Sequence, residues 1–204
     1  GANDKGQLGL GDTSARGDGP NEMGANLPAV NLGSGRFAVA VTAGTTHTCA
    51  LLDNGWIKCW GDNSNGQLGY GDTNKRGDQA NEMGDNLPPV KLGTNRTALA
   101  VTAGDRFTCA LLDNNDVKCW GSGADGRLGY GSTSERGATG DLMGDTLPPV
   151  DLGTDFTPVA IVAGSYHTCA ISSAGQMKCW GGNDKGQLGD GGSSSNEMGD
   201  NLKP

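Results

Sequence analysis

Residues 48–61 read TCALLDNGWIKCWG, and the stretch returns as TCALLDNNDVKCWG at 108–121 and as TCAISSAGQMKCWG at 168–181. Matching positions are 60 residues apart in both steps, with no insertion or deletion between the copies. A fixed period of this length is typical of repeat proteins, in which each copy has an equivalent place in one array. The sequence therefore predicts units at 1–60, 61–120 and 121–180 and a partial fourth unit at 181–204.

Each copy predicts a β-hairpin. In the first, residues 48–52 and 56–60 are strand candidates around Asp53-Asn54-Gly55, a turn whose Asn and Gly tolerate a positive φ. Counting outward from a three-residue loop places Cys49 opposite Cys59. Opposed residues of an antiparallel pair have Cα atoms roughly 4.5–5.5 Å apart, which a disulfide can bridge. The spacing thus predicts three local disulfides, Cys49–Cys59, Cys109–Cys119 and Cys169–Cys179.

Zinc is the competing use of the six cysteines. Their ten-residue separation contains no Cys-x-x-Cys pair, however, and only His47 and His167 could complete a site. We therefore expect no metal at the cysteines. Because paired cysteines are typical of oxidising compartments, we expect an extracellular protein, secreted or at a cell surface.

The rest of each unit predicts further β structure. In the second unit, residues 90–92, 98–102, 108–112 and 117–120 are strand candidates, which would make a four-stranded blade after a long polar loop at 72–86. The 37 glycines and the 5% aromatic content agree with short strands and tight turns. A small sheet of this kind must pack on its neighbours, so we expect the apolar pairs of the second strand to form an inter-sheet core: Val39 and Val41, Leu99 and Val101, Val159 and Ile161.

The order of these motifs resembles a known family. AGTTHTCAL at 43–51, the Asp53-Asn54-Gly55 turn, CWG at 59–61 and GQLG at 66–69 are similar to the repeats of the regulator of chromosome condensation family, most of all its cysteine-bearing, secreted members. The resemblance implies an all-β fold, a β-propeller that usually has seven four-stranded blades.

The number of repeats leaves the architecture open. The chain has three complete strand sets, at 28–60, 88–120 and 148–180, and three blades are too few to close a ring. We therefore expect either a propeller closed by further repeats, an association of several copies, or an open stacked array that grows into a fibre. The chain is accordingly expected to be part of a larger assembly or of a longer protein.

Charge and hydropathy narrow the possible partners. The net charge of −8 and the absence of clustered Lys and Arg argue against nucleic acid. No run approaches the roughly 18 apolar residues of a membrane span, so we expect no membrane insertion. The expected partners are further copies of this chain or other protein chains.

Catalysis is not expected. A catalytic centre needs an asymmetric group of residues, whereas His47 and His167 are repeat positions whose counterpart is Phe107. We predict a packing role for these histidines, no catalytic residue and no cofactor.

Two other features of the second unit were considered as sites. Loop carboxylates could supply oxygen ligands to calcium, although a solvated acidic loop is the interpretation we favour; these carboxylates are Asp72, Asp78, Glu82 and Asp85. Ser132, Ala138 and Leu142 replace three of them in the third copy. Asn95-Arg96-Thr97 is a glycosylation sequon, relevant to a eukaryotic secreted protein.

Partner binding is expected where the copies differ. Trp56, Arg106 and Tyr166 lie at positions that vary between copies, and an exposed Trp is a plausible contact. The leading hypothesis is a non-catalytic extracellular structural or adhesive repeat protein that can assemble into a fibre. The alternatives are a closed propeller that binds a protein through its loops and, in a third class, an exchange factor for a small GTPase.

Overall fold

The computed structural model describes residues 1–189 and 191, so most of the partial fourth unit lies outside the described residues. Three antiparallel sheets follow one another along the chain, and in each the strand order is the chain order. This confirms the predicted all-β class. Sheet 1 contains β1 (Ala38–Ala43), β2 (His47–Leu52) and β3 (Ile57–Gly61); sheet 2 contains β4 (Ala98–Ala103), β5 (Phe107–Leu112) and β6 (Val117–Gly121); sheet 3 contains β7 (Pro158–Ala163), β8 (His167–Ser172) and β9 (Met177–Gly181).

Within residues 1–189, helical structure is limited to single 3-10 turns in the connecting loops: Gly24–Asn26, Gly84–Asn86, Ala124–Gly126, Gly140–Leu142 and Gly144–Thr146. Among the residues that the structure describes, none of these helices has the length or the apolar character needed to cross a bilayer.

The predicted hairpin register is confirmed. Cys49 is paired with Cys59 across β2 and β3, and the turn closes through a 2.8 Å bond from the Leu52 N–H to the Trp56 carbonyl. Gly55 has a φ of 78° in this turn, and Asn115 has a φ of 65° in the second copy, which explains the Asn-Gly preference. The cysteines of each copy lie at disulfide-bonding distance, with Cα atoms 4.1 Å apart in sheets 1 and 2 and 4.0 Å apart in sheet 3.

The sheets have three strands, so the prediction of a fourth strand at residues 90–92 was wrong. Val90 donates one backbone hydrogen bond, 2.8 Å long, to the carbonyl of Ile57 in β3 of the preceding sheet. Pro88 and Pro89 come directly before it, and proline has no N–H with which to continue a ladder. The segment therefore lies along sheet 1 without joining it as a regular strand.

The core lies between consecutive sheets. The disulfide side of sheet 1, including Ile57, packs against Ala98, Leu112 and Trp120, and sheet 2 packs on sheet 3 in the same way. Thr102 adds a polar contact between sheets 2 and 3. Its hydroxyl oxygen accepts a 2.9 Å hydrogen bond from the N–H of Ala163. The first strand of sheet 2, β4, thus contacts both β1 and β7 and makes one side-chain hydrogen bond with each.

The predicted inter-sheet core is only partly correct. Val101 and Ile161 do pack against core residues. Leu99 is exposed, as are Val39 and Val159 at the equivalent positions. The register shifts at this position in every sheet, so each of these residues is the extra residue of a β-bulge and turns away from its neighbours.

Candidate partner-binding surface

Three short turns lie side by side along one edge of the structure. They are residues 44–46, 104–106 and 164–166, here called the glycine-turn edge, and each joins the first and second strands of its sheet. Together they border an open groove of about 370 Å³, lined by Ala43, Gly44, Thr45, Ala103, Gly104, Asp105, Ala163, Gly164 and Ser165.

Glycine allows these turns to approach closely. A Cβ atom on Gly104 would lie only 2.6 Å from the carbonyl oxygen of Gly164 and would also overlap the ring of Phe107. The N–H of Asp105 donates a 3.0 Å bond to the carbonyl of Ser165 and so joins adjacent turns directly. The groove is therefore a fixed feature of the packed sheets.

The outer positions of this edge carry side chains that differ between copies. Arg106 is exposed and has its Nε atom 3.8 Å from the Asp105 carboxylate, a screened surface pair. Tyr166 is 47% exposed, and the guanidinium of Arg127 lies 4.9 Å from its ring centre. The structure therefore brings two of the three predicted contact residues to one edge.

Trp56 lies at the other edge of the sheets, here called the opposite edge and formed by residues 53–56, 113–116 and 173–176. Its side chain is 46% exposed, as predicted. The six residues of β2 separate it from the glycine-turn edge, a distance of roughly 20 Å at the rise of a strand. Trp56 therefore cannot share a small contact with Arg106. Asn95 is also exposed at the opposite edge, with a φ of 56° before β4, and its glycosylation remains a prediction.

Each of the four carboxylates considered for calcium binding pairs with a different partner in its own surroundings. Asp72 pairs with Arg76 at 2.8 Å, and Asp78 pairs with Lys75 at 2.7 Å. Asp85 accepts bonds from the backbone and the hydroxyl of Ser34. The fourth carboxylate, that of Glu82, accepts bonds from backbone N–H groups of its own loop. Within the described residues, no group of three His, Cys, Asp or Glu side chains could hold a metal ion.

His47 is buried between sheets 1 and 2. Its Nε2 lies 2.9 Å from the hydroxyl oxygen of Thr108, whose own proton is donated to the carbonyl of Gln67. Nε2 therefore carries the ring proton, and the buried Nδ1 has no partner in the described chain. Burial lowers the pKa of His47 to about 4, an effect that the charges of Asp62 and Asp105 only partly oppose. The ring is a neutral packing group at pH 7.

Replacing His47 with phenylalanine should remove an acid sensitivity. The folded-state pKa lies below the ordinary value of 6.5, so the stability contributed by the neutral ring is complete above pH 6.5 and is lost as the pH falls toward about 4. Urea unfolding at pH 7 and pH 4.5 should show that the wild type loses about 2–3 kcal/mol more than H47F over this interval. Phe107 already fills the equivalent position with full burial.

The control for this experiment is W56F, since Trp56 is exposed and does not titrate. This variant should keep the pH dependence of the wild type. An equal dependence in H47F and the wild type would contradict the assignment to His47.

Buried lysines are residues that the sequence analysis missed. Lys58 is 4% exposed, and its Nζ donates to the carbonyls of Leu32 and Gly84 at 2.9 and 2.8 Å. Lys118 repeats the arrangement one sheet later, and burial lowers the pKa of both lysines. Each lysine fastens the long loop of the following unit to its own sheet. The signal was present in the sequence, because Lys-Cys-Trp occurs in all three copies.

Comparison with known proteins assigns the repeat. Residues 38–67, 99–127 and 159–187 match a profile described as Regulator of chromosome condensation (RCC1) repeat, and residues 1–51, 57–111 and 115–171 match a second profile with the same description. The chain belongs to the regulator of chromosome condensation repeat family. The resemblance expected from the sequence motifs is thereby confirmed at the level of the family.

Curated relatives in this family are longer than the chain. The Ultraviolet-B receptor UVR8 of Arabidopsis thaliana is 31% identical over 157 residues, which are 76% of this chain and 32% of the receptor. The human Regulator of chromosome condensation is 30% identical over 184 residues, 89% of this chain and 39% of that protein. The chain thus spans less than two fifths of the length of either relative.

Two solved structures share the fold. Human WBSCR16 matches with a TM-score of 0.69 at 21% identity, over 96% of this chain and 46% of that one. Prp20p of Saccharomyces cerevisiae matches with a TM-score of 0.56 at 20% identity, over 80% and 37% respectively. At these identities the likeness shows the fold alone, and it confirms the prediction of propeller-type blades.

Proposed function

We propose that this chain is a non-catalytic, protein-binding repeat segment that contacts its partner through the glycine-turn edge. The proposal rests on the contrast between side chains that are the same in every sheet and turn positions whose side chains differ between the copies. The cysteines, tryptophans and lysines of the Lys-Cys-Trp motif recur at the same positions in all three sheets, whereas the outer turn positions hold Thr46, Arg106 and Tyr166. Arg and Tyr are side chains enriched at the energetic centres of protein interfaces.

Family members give the proposal further support. Prp20p is described with its binding properties to Gsp1p and histones, and a second structure holds yeast RCC1 with Kap60 bound. Those partners belong to those proteins, but they are examples of protein binding by the same fold.

We also propose that the protein works outside the cell. The support is the three cysteine pairs at disulfide-bonding distance, since disulfides persist in oxidising compartments. The test uses protein isolated from its natural source. Free thiols are alkylated before the disulfides are reduced, and mass spectrometry then identifies the alkylated cysteines. Alkylation of Cys49 or Cys109 would show a free thiol at that position and would contradict the extracellular location.

The binding edge can be tested by substitution. The protein, an R106A/Y166A double variant and a W56A variant are each immobilised, and the proteins that they retain from extracellular fluid of the source organism are quantified. We expect the double variant to lose at least about tenfold in affinity for the retained partner, because truncating a central Arg or Tyr typically costs more than 1 kcal/mol. Retention should be unchanged for W56A, which alters the opposite edge. Equal retention by the wild type and the double variant would refute the assignment.

A second candidate function, head-to-tail assembly, is favoured by the end faces of the array. Val41 on sheet 1 is 70% exposed, whereas Val101 at the equivalent place packs against the preceding sheet. Ile171 on sheet 3 is exposed, whereas Leu111 is buried against the next sheet. Two copies could repeat this internal packing between them, a heterologous contact that yields rings or fibres. A chain that sediments as a monomer at all concentrations would exclude this function.

A further inference from the structure

The long loop of the second unit binds a carboxylate of its own. One side-chain oxygen of Glu82 accepts hydrogen bonds from three successive backbone N–H groups, those of Gly77, Asp78 and Gln79, at 2.9, 3.2 and 3.1 Å. Successive N–H groups that converge on one point form a concave anion site. The first unit repeats the arrangement with Glu22 and the N–H groups of Gly17, Asp18 and Gly19.

The third unit keeps the glycine turn that begins this loop but replaces the acid, at a position that lies here in the 3-10 turn Gly140–Leu142. Leu142 stands where the other copies have glutamate, so this position supplies no carboxylate in the third loop. Gly137 has a φ of 85°, against 88° for Gly77, and the loop is held by the same backbone pairing, here between Gly121 and Arg136. No acceptor in the described part of the chain, which leaves out the side chain of Asp141, takes a hydrogen bond from the N–H groups of Gly137, Ala138 and Thr139.

A cation in the same loop has also lost its acid. Arg76 of the second unit pairs with Asp72 through both terminal nitrogens. In the third unit Ser132 replaces the aspartate, and the buried Arg136 Nε and Ser132 Oγ atoms have no partner within the described residues. The Arg136 guanidinium stays in place over the ring of Tyr130, 5.0 Å from its centre.

These two losses fall in one region. In the second unit, Arg76 and Glu82 line the same cavity of about 550 Å³, so the arginine and the three N–H groups are neighbours. Glu135, an acid directly before this loop, accepts a hydrogen bond from the side chain of Asn65. The third loop thus combines a fixed cation and three aligned donors where the other loops hold carboxylates.

We propose that the N–H groups of Gly137, Ala138 and Thr139, assisted by Arg136, bind a carboxylate supplied from outside the chain. The ligand chemistry is read from the structure itself, since Glu22 and Glu82 show that the same loop geometry accepts a carboxylate oxygen. A hydrogen bond from a backbone N–H or an arginine to an ionised oxygen is among the stronger polar contacts in proteins. The site lies outside the glycine-turn edge and does not depend on the proposed function.

A titration followed by amide resonances tests this site. The protein labelled with ¹⁵N is titrated with sodium acetate, and sodium chloride at equal ionic strength is the reference. We expect saturable shifts at the amides of residues 137–139 and none at the amides of residues 77–79, where Glu82 already occupies the donors. The absence of a saturable, acetate-specific shift at 137–139 would overturn the proposal.

Exchanging the residues between the copies provides matched variants. L142E should restore the internal carboxylate and abolish the acetate response, whereas L142M, which keeps an apolar side chain of similar size, should retain it. E82L should create a new response at residues 77–79. An acetate response that survives in L142E, or that is lost in L142M, would contradict binding at these N–H groups.

Titration with short peptides identifies the kind of molecule that supplies the carboxylate. Capped Ala-Glu-Ala is compared with capped Ala-Gln-Ala in the same titration. A response to the Glu peptide alone assigns the site to acidic protein side chains, and a response to acetate without either peptide assigns it to small carboxylates; both results support a carboxylate site. Equal responses to both peptides would overturn it, because the charge would then be irrelevant.

Discussion

Replacing Trp120 with alanine should lower the free energy of unfolding by about 3–5 kcal/mol, the range for removal of a large buried aromatic side chain. Trp120 is fully buried and belongs to the core between sheets 1 and 2, where it lies with the Cys49 and Ile57 side chains. Its ring also closes on the connecting loop, since a Cβ atom on Gly69 would lie 2.7 Å from the indole nitrogen. One side chain therefore joins two sheets and the loop between them.

The indole hydrogen bond contributes less than the packing. Trp120 Nε1 donates to the carbonyl of Gln67 at 3.0 Å, but the hydroxyl of Thr108 donates to the same oxygen at 2.9 Å. W120F would leave that carbonyl with one partner, so its expected cost is about 1–2 kcal/mol, from one hydrogen bond and a smaller ring.

Urea unfolding followed by far-ultraviolet circular dichroism measures both losses, and W56A is the control. Trp56 is nearly half exposed and should change stability by less than about 0.5 kcal/mol. Equal effects of W120A and W56A would contradict the assignment of Trp120 to the core.

The local features of the fold could be predicted from the sequence because they depend on neighbours in the chain. A hairpin with a three-residue turn has a register set by counting, so the pairing of Cys49 with Cys59 followed from the turn alone. The exposure of Trp56 followed from its replacement by Asp116 and Gln176 in the other copies. Both inferences used positions within one hairpin or at one repeat period.

Features that depend on contacts between units could not be predicted in this way. Strand alternation marks Leu99 as apolar and core-facing, but it does not show that the register shifts at this residue and turns it outward. The hydrogen bond between His47 and Thr108 joins residues 61 positions apart. The same reason limits the prediction of the candidate site. Comparison of the copies shows which positions vary, but it does not show that Arg106 and Trp56 lie at different edges.

Removing the disulfide of sheet 2 with C109A/C119A should lower the free energy of unfolding by about 3–4 kcal/mol. Closing a loop of this length constrains the unfolded chain by about 2.7 kcal/mol in the chain-entropy description. The remainder comes from the folded state, because Cys109 and Cys119 are fully buried and pack against the next sheet, with the Cys109 sulfur 3.9 Å from the hydroxyl of Thr168.

The equivalent variant of sheet 3 separates these two contributions. C169A/C179A removes a pair with the same separation of 10 residues, so the effect on the unfolded chain is the same. Cys179 is only partly buried, because no further sheet covers this side of sheet 3 within the described residues. We therefore expect C169A/C179A to cost less than C109A/C119A, and the difference between the two measures the packing of a cysteine pair between sheets. If the two variants cost the same, the cysteine pairs stabilise the fold through chain entropy alone, and the apolar contacts of the sheet 2 pair contribute nothing measurable.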